Sequence, residues 1–145
     1  MKKFLAAALL VIFAFYVFCV HYTEAYQVGV MWNRLSGSVE LDQQGGFTLT
    51  PPWVSVARID LRPARVCIAS TARSYNCKLV KFEPTAFREF VALQGFHYYW
   101  FANRVSFNSG YESYRGMKDI MRGYAFSEKQ YKFLVVTGEY KSDNN

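Results

Sequence analysis

Two cysteines and two histidines outside the chain's apolar start are the residues best suited to covalent or acid–base chemistry, and their spacing limits what that chemistry is. Cys67 and Cys77 bracket nine residues. Across a turn, such a pair closes a disulfide in an oxidising compartment; the alternative is two buried thiols acting as small apolar side chains. Neither cysteine forms a CxxC, and His21 and His97 form no HxxxH, so no metal and no cofactor is expected. His97 can be paired on paper with Cys67 or Cys77 as base and nucleophile. No nucleophile-elbow sequence surrounds either cysteine, however, and a packed or surface histidine explains it. Glu83, Glu89 and Glu112 occur singly, as solvated carboxylates do. The residues supply no catalytic set, and the chain is read as a non-enzyme.

Positioning these residues requires a hairpin. Arg65–Ser70 and Asn76–Phe82 read as strands flanking the polar turn Thr71–Tyr75. Earlier strands are expected at Tyr26–Met31, Ser38–Leu41, Phe47–Thr50 and Trp53–Leu61, with turns at Trp32–Gly37 and Gln43–Gly46, and Pro51-Pro52 leaving the sheet. Pro84 starts a helix whose apolar residues Phe87, Phe90 and Val91 share a face, and Gly95 ends it. A second helical stripe carries Tyr114, Met117, Met121 and Tyr124, and Tyr131–Thr137 reads as the last strand. The fold class is therefore α+β, a twisted and mostly antiparallel sheet with two helices.

Ahead of that domain, Met1-Lys2-Lys3 precedes an unbroken apolar run of seventeen residues, Phe4–Val20. As a helix it would reach about 26 Å, at the short end of what spans a bilayer and longer than an ordinary signal-peptide core. The bulky residues Phe13, Phe15, Tyr16 and Phe18 favour an N-terminal transmembrane anchor, while Thr23-Glu24-Ala25 offers a small-x-small site for cleavage after Ala25. Phe18 before Cys19 is too large for a lipobox. The expected organisation is an anchor or signal segment over 1–25, one domain over 26–140 and a disordered tail over 141–145. With Lys2 and Lys3 held inside, that domain lies on the extracytoplasmic side, periplasmic or equivalent.

Beyond the leader the chain holds 15 basic and 11 acidic residues. The basic ones are dispersed among strands and turns, which argues against nucleic acid and is compatible with anionic lipid headgroups. Thirteen Phe, eleven Tyr and three Trp provide a large core. The densest aromatic stretch, Phe96–Phe101, continues with Arg104, Phe107 and Tyr111. It is either core or an exposed patch, and as a patch its partner-binding residues would be Tyr98, Tyr99, Trp100, Phe101 and Arg104. Asn103–Asn108 and Tyr114–Met117 look specific without disclosing a chemistry.

The segment Gln27–Val66 resembles the opening of the SPFH (stomatin/prohibitin, Band 7) family. The residues that carry the resemblance are Val28-Gly29-Val30, Gly37-Ser38-Val39, Gly46-Phe47-Thr48-Leu49 with Pro51-Pro52, and Val54–Arg62. Residues beyond Val66 match the family poorly, and no long charged coiled-coil helix follows. The resemblance implies a membrane-associated scaffold or regulator whose partners are membrane lipids and membrane proteins or a membrane protease complex. It implies no catalytic residue and leaves homo-oligomerisation open. The alternative function is a secreted, disulfide-bonded binding module released by cleavage.

Overall fold

A computed structural model describes residues 2–70, 74–100, 103–107 and 114–143. The apolar run becomes α1 (Lys2–Cys19), and the chain then turns directly into strand β1 (Val20–Thr23). There follow β2 (Gln27–Asn33), β3 (Val39–Asp42), β4 (Gly46–Leu49), β5 (Val54–Asp60), β6 (Ala64–Ala69) and β7 (Ser74–Phe82). A 3-10 turn at Pro84–Ala86 leads into α2 (Phe87–Gln94), and after it come β8 (His97–Tyr99), β9 (Arg104–Ser106), α3 (Tyr114–Ala125) and β10 (Leu134–Asp143).

Two expectations need correction. The transmembrane helix is not found: no helix among the described residues is long and apolar enough to cross a membrane. The physical reason lies at the end of the apolar run. Val20 is taken into β1, where it pairs with Leu49, so α1 stops after 18 residues. At 1.5 Å per residue that is about 27 Å, short of the roughly 30 Å hydrocarbon core. The expected single sheet is also replaced by three: β1-β4, β3-β2-β5-β9-β8 and β10-β7-β6. The pairings β1–β4, β2–β3, β6–β7 and β7–β10 are antiparallel, and β5 with β9 is parallel at Val56–Arg104. In addition, β10 runs to Asp143, three residues into the segment read as a tail.

The chain forms two compact units, one of Met1–Arg58 with Tyr98–Ser106 and one of Ile59–His97 with Phe107–Asn145. In the first, Val28, Val30, Val56, Ala57 and Val105 form the buried apolar centre. Gly29 packs tightly within it, since a Cβ there would lie 3.2 Å from Val56 Cγ1 and 3.4 Å from Asp42 Cβ. The turns before β3 and into β4 use Gly37 and Gly46 at φ of 72° and 111°, where a side chain would be strained.

The second unit is built on aromatic rings. Phe90 sits among Phe82, Phe107 and Phe133, with centroid distances of 5.2, 4.9 and 5.1 Å. The tilted and edge-on geometries are those that aromatic quadrupoles favour. Tyr124 extends the cluster by packing edge-on against Phe133 and Tyr131. Burial, and then the neighbouring Tyr131, raises the Tyr124 phenol above its ordinary value of 10.0. It stays protonated and donates to Gln94 Oε1 at 3.1 Å.

Candidate functional site

From Lys3 to Tyr16 every side chain of α1 is exposed, although nearly all are apolar. Water disfavours such a surface at about 25 cal/mol per Å² of apolar area. A second exposed apolar face follows the helix in the chain. In the β1–β4 ribbon, Tyr22 lies opposite Phe47 and Val20 opposite Leu49, so these four side chains share one face. Phe47 is 76% exposed, Leu49 68% and Tyr22 47%, with the Tyr22 and Phe47 rings 4.9 Å apart. The opposite face of β1 carries His21 and Thr23, both buried. The ribbon is thus inverted relative to a water-facing sheet: polar residues point inward and apolar ones outward.

Asn103 fixes the end of α1 to the rest of its unit. It is fully buried and takes φ of 47°, a left-handed conformation that asparagine tolerates better than most residues. Its amide Nδ2 donates to the Phe18 carbonyl at 2.8 Å and to the Val54 carbonyl at 3.1 Å. Its Oδ1 accepts from Ser55 Oγ at 2.7 Å and from the Tyr98 hydroxyl at 3.4 Å. A second backbone bond, Thr50 N–H to the Cys19 carbonyl at 2.8 Å, ties the same point to the end of β4.

Above this clamp stands Arg34. Its guanidinium donates to the Pro52 carbonyl at 2.6 Å, to the Trp53 carbonyl at 3.3 Å and to the Tyr98 hydroxyl. The cation also lies 4.6 Å from the centre of the Tyr98 ring, and Trp32 meets that ring edge-on. Tyr98 is therefore half-buried and structural. Within the expected aromatic patch, Trp100 is 64% exposed, Tyr99 is exposed to a lesser degree, and Arg104 is exposed. Phe101 and Tyr111 lie outside the described residues.

The cysteines that His97 could be paired with on paper are bonded to each other. His21 is 5% exposed, and its Nε2 has no hydrogen-bond partner among the described residues. Burial, then the positive charges of Arg58 and Arg104, lowers its pKa and holds the ring neutral. Cys19 is a buried free thiol two residues earlier. His97 is exposed. Cys67 and Cys77 are joined by a disulfide between directly opposed residues of β6 and β7, with their Cα atoms 4.1 Å apart. Among the described residues no three His, Cys, Asp or Glu side chains group as metal ligands.

Sequence reasoning did not single out Arg34, used Phe47 and Leu49 only as parts of a strand and of the resemblance, and reached Asn103 without a role for it. The alternation Phe47-Thr48-Leu49-Thr50 was the available signal, but it does not say which face turns outward. No family model matches the chain, and no curated protein does.

Proposed function

We propose that this chain is a lipid-associated scaffold of the SPFH type that binds membrane proteins and has no catalysis of its own. The observation that carries the reading is the apolar surface left exposed on α1 and on the outward face of the β1–β4 ribbon that follows it. A bilayer is the occupant that matches it. The helix supplies apolar area without charge between Phe4 and Cys19, and Tyr22 follows where amphipathic rings are favoured at the water boundary. The residues that resemble the SPFH opening support the family: they fall in order on β2, the Gly37 turn, β3, β4 and β5, after the apolar helix and the short strand β1. The disulfide in the second unit supports residence on an oxidising, extracytoplasmic face. The exposed Tyr99, Trp100 and Arg104 are the protein-binding residues in this reading.

Release by cleavage after Ala25 is disfavoured by the structure of the first unit. Such a cut would remove β1, leaving β4 without its partner and Asn103 without the Phe18 carbonyl. Alkaline carbonate extraction of membranes from expressing cells is expected to leave the chain, at its full mass of 16.8 kDa, in the pellet. Recovery in the supernatant as a shortened species would refute lipid association and favour the secreted module.

A further inference from the structure

We propose that the cleft between α3 and β6 is a binding site for a phosphate group. It is lined by Arg65, Val66, Cys67, Lys118, Asp119 and Arg122 and encloses about 360 Å³, ample for a phosphoryl group with its ester substituent. The lining holds three basic residues and one acidic one, an excess of two positive charges. The positions follow from the elements. Arg65 and Cys67 are two residues apart on one face of β6, and Lys118 and Arg122 are four apart on one side of α3, beside the buried Met121 and Ala125.

Two of the cations are held in place before any ligand arrives. The Arg65 guanidinium donates to Cys77 Sγ at 3.6 Å and lies 5.3 Å from the Tyr140 ring centre, while Arg122 pairs with Asp119 at 3.2 Å. Neither contact exhausts the five donors of a guanidinium, which match phosphate oxygens in pairs. The Lys118 ammonium has no ion-pair partner among the described residues. The Cys67–Cys77 bond ties the strand that carries Arg65 to β7. This site belongs to the second unit alone and does not depend on α1.

The phosphate could be that of a lipid headgroup or of a soluble ester, and two arms of one experiment separate them. Isothermal titration of the full chain in detergent with inorganic phosphate is expected to show saturable binding. Arg65→Glu or Lys118→Glu should weaken it about tenfold or more, as loss of a charge-assisted bond does, whereas Lys132→Glu, an equal charge change elsewhere, should not. Flotation with vesicles of phosphatidylcholine, alone or mixed with phosphatidylglycerol, forms the second arm. If the cleft variants lose the preference for phosphatidylglycerol, the source is the headgroup; if they keep it while losing inorganic phosphate, the source is soluble. The proposal is overturned if neither arm responds to the cleft variants, or if Lys132→Glu acts as strongly as they do.

Discussion

Replacing Asn103 by Ala strips two carbonyls and two hydroxyls of their partner and puts a Cβ residue without a polar side chain at positive φ. Leaving buried polar groups unpaired makes this costly, and a loss of about 2–4 kcal/mol is expected in urea unfolding. A loss below about 0.5 kcal/mol would show that the clamp is incidental. His21 gives a pH dependence at the same scale. Its folded pKa lies below the ordinary 6.5, so below that pH the unfolded chain binds a proton that the folded chain refuses. Stability is therefore greatest above pH 6.5 and falls as pH drops from there to the folded pKa, below which it levels off. Comparing denaturant midpoints at about pH 7.5 and about pH 5.5 should show that decline in the native chain and a smaller one in His21→Asn. Equal slopes for the two proteins would remove His21 from the account.

At the scale of elements, the β6–β7 hairpin is closed by a disulfide spanning a sequence separation of 10. For a loop of that size the chain-entropy estimate is about 3 kcal/mol, so Cys67→Ala with Cys77→Ala is expected to lower stability by roughly that amount. Calorimetry with and without reductant checks it, and the double variant should be indifferent to reductant. Phe90, fully buried among three rings, should cost about 3–5 kcal/mol as Phe90→Ala. Much of this level was legible in the sequence. Period-2 alternation located β5, the two runs Arg65–Ser70 and Asn76–Phe82 located β6 and β7, and Pro84 with Gly95 bounded α2 closely; of the turn expected at Thr71–Tyr75, residues 71–73 lie outside the described residues and Ser74 and Tyr75 belong to β7. The misreadings have physical causes. β1 was hidden because Val20 belongs by composition to the apolar run, although its pairing with Leu49 makes it a strand. The parallel contact of β5 with β9 joins residues 48 apart in sequence, Val56 and Arg104, and no local pattern reports such a pairing.

For the molecule as a whole, the unusual feature is apolar surface left outside while polar groups are taken in. His21, Thr23 and Thr50 are buried with polar side-chain atoms that have no partner among the described residues, whereas Phe47, Leu49 and residues 3–16 of α1 face outward. A protein destined only for water would gain from the reverse arrangement. Lipid on the outward face removes the conflict, and the scaffold reading depends on it. Flotation of the purified chain on phosphatidylcholine vesicles tests this most directly, with Leu10→Asp/Ile12→Asp in the helix and Phe47→Ser/Leu49→Ser in the ribbon as comparisons. The account predicts that the native chain floats, that the helix variant stays at the bottom of the gradient, and that the ribbon variant binds more weakly while remaining folded by circular dichroism. A native chain that fails to float, or a helix variant that floats equally well, would contradict it.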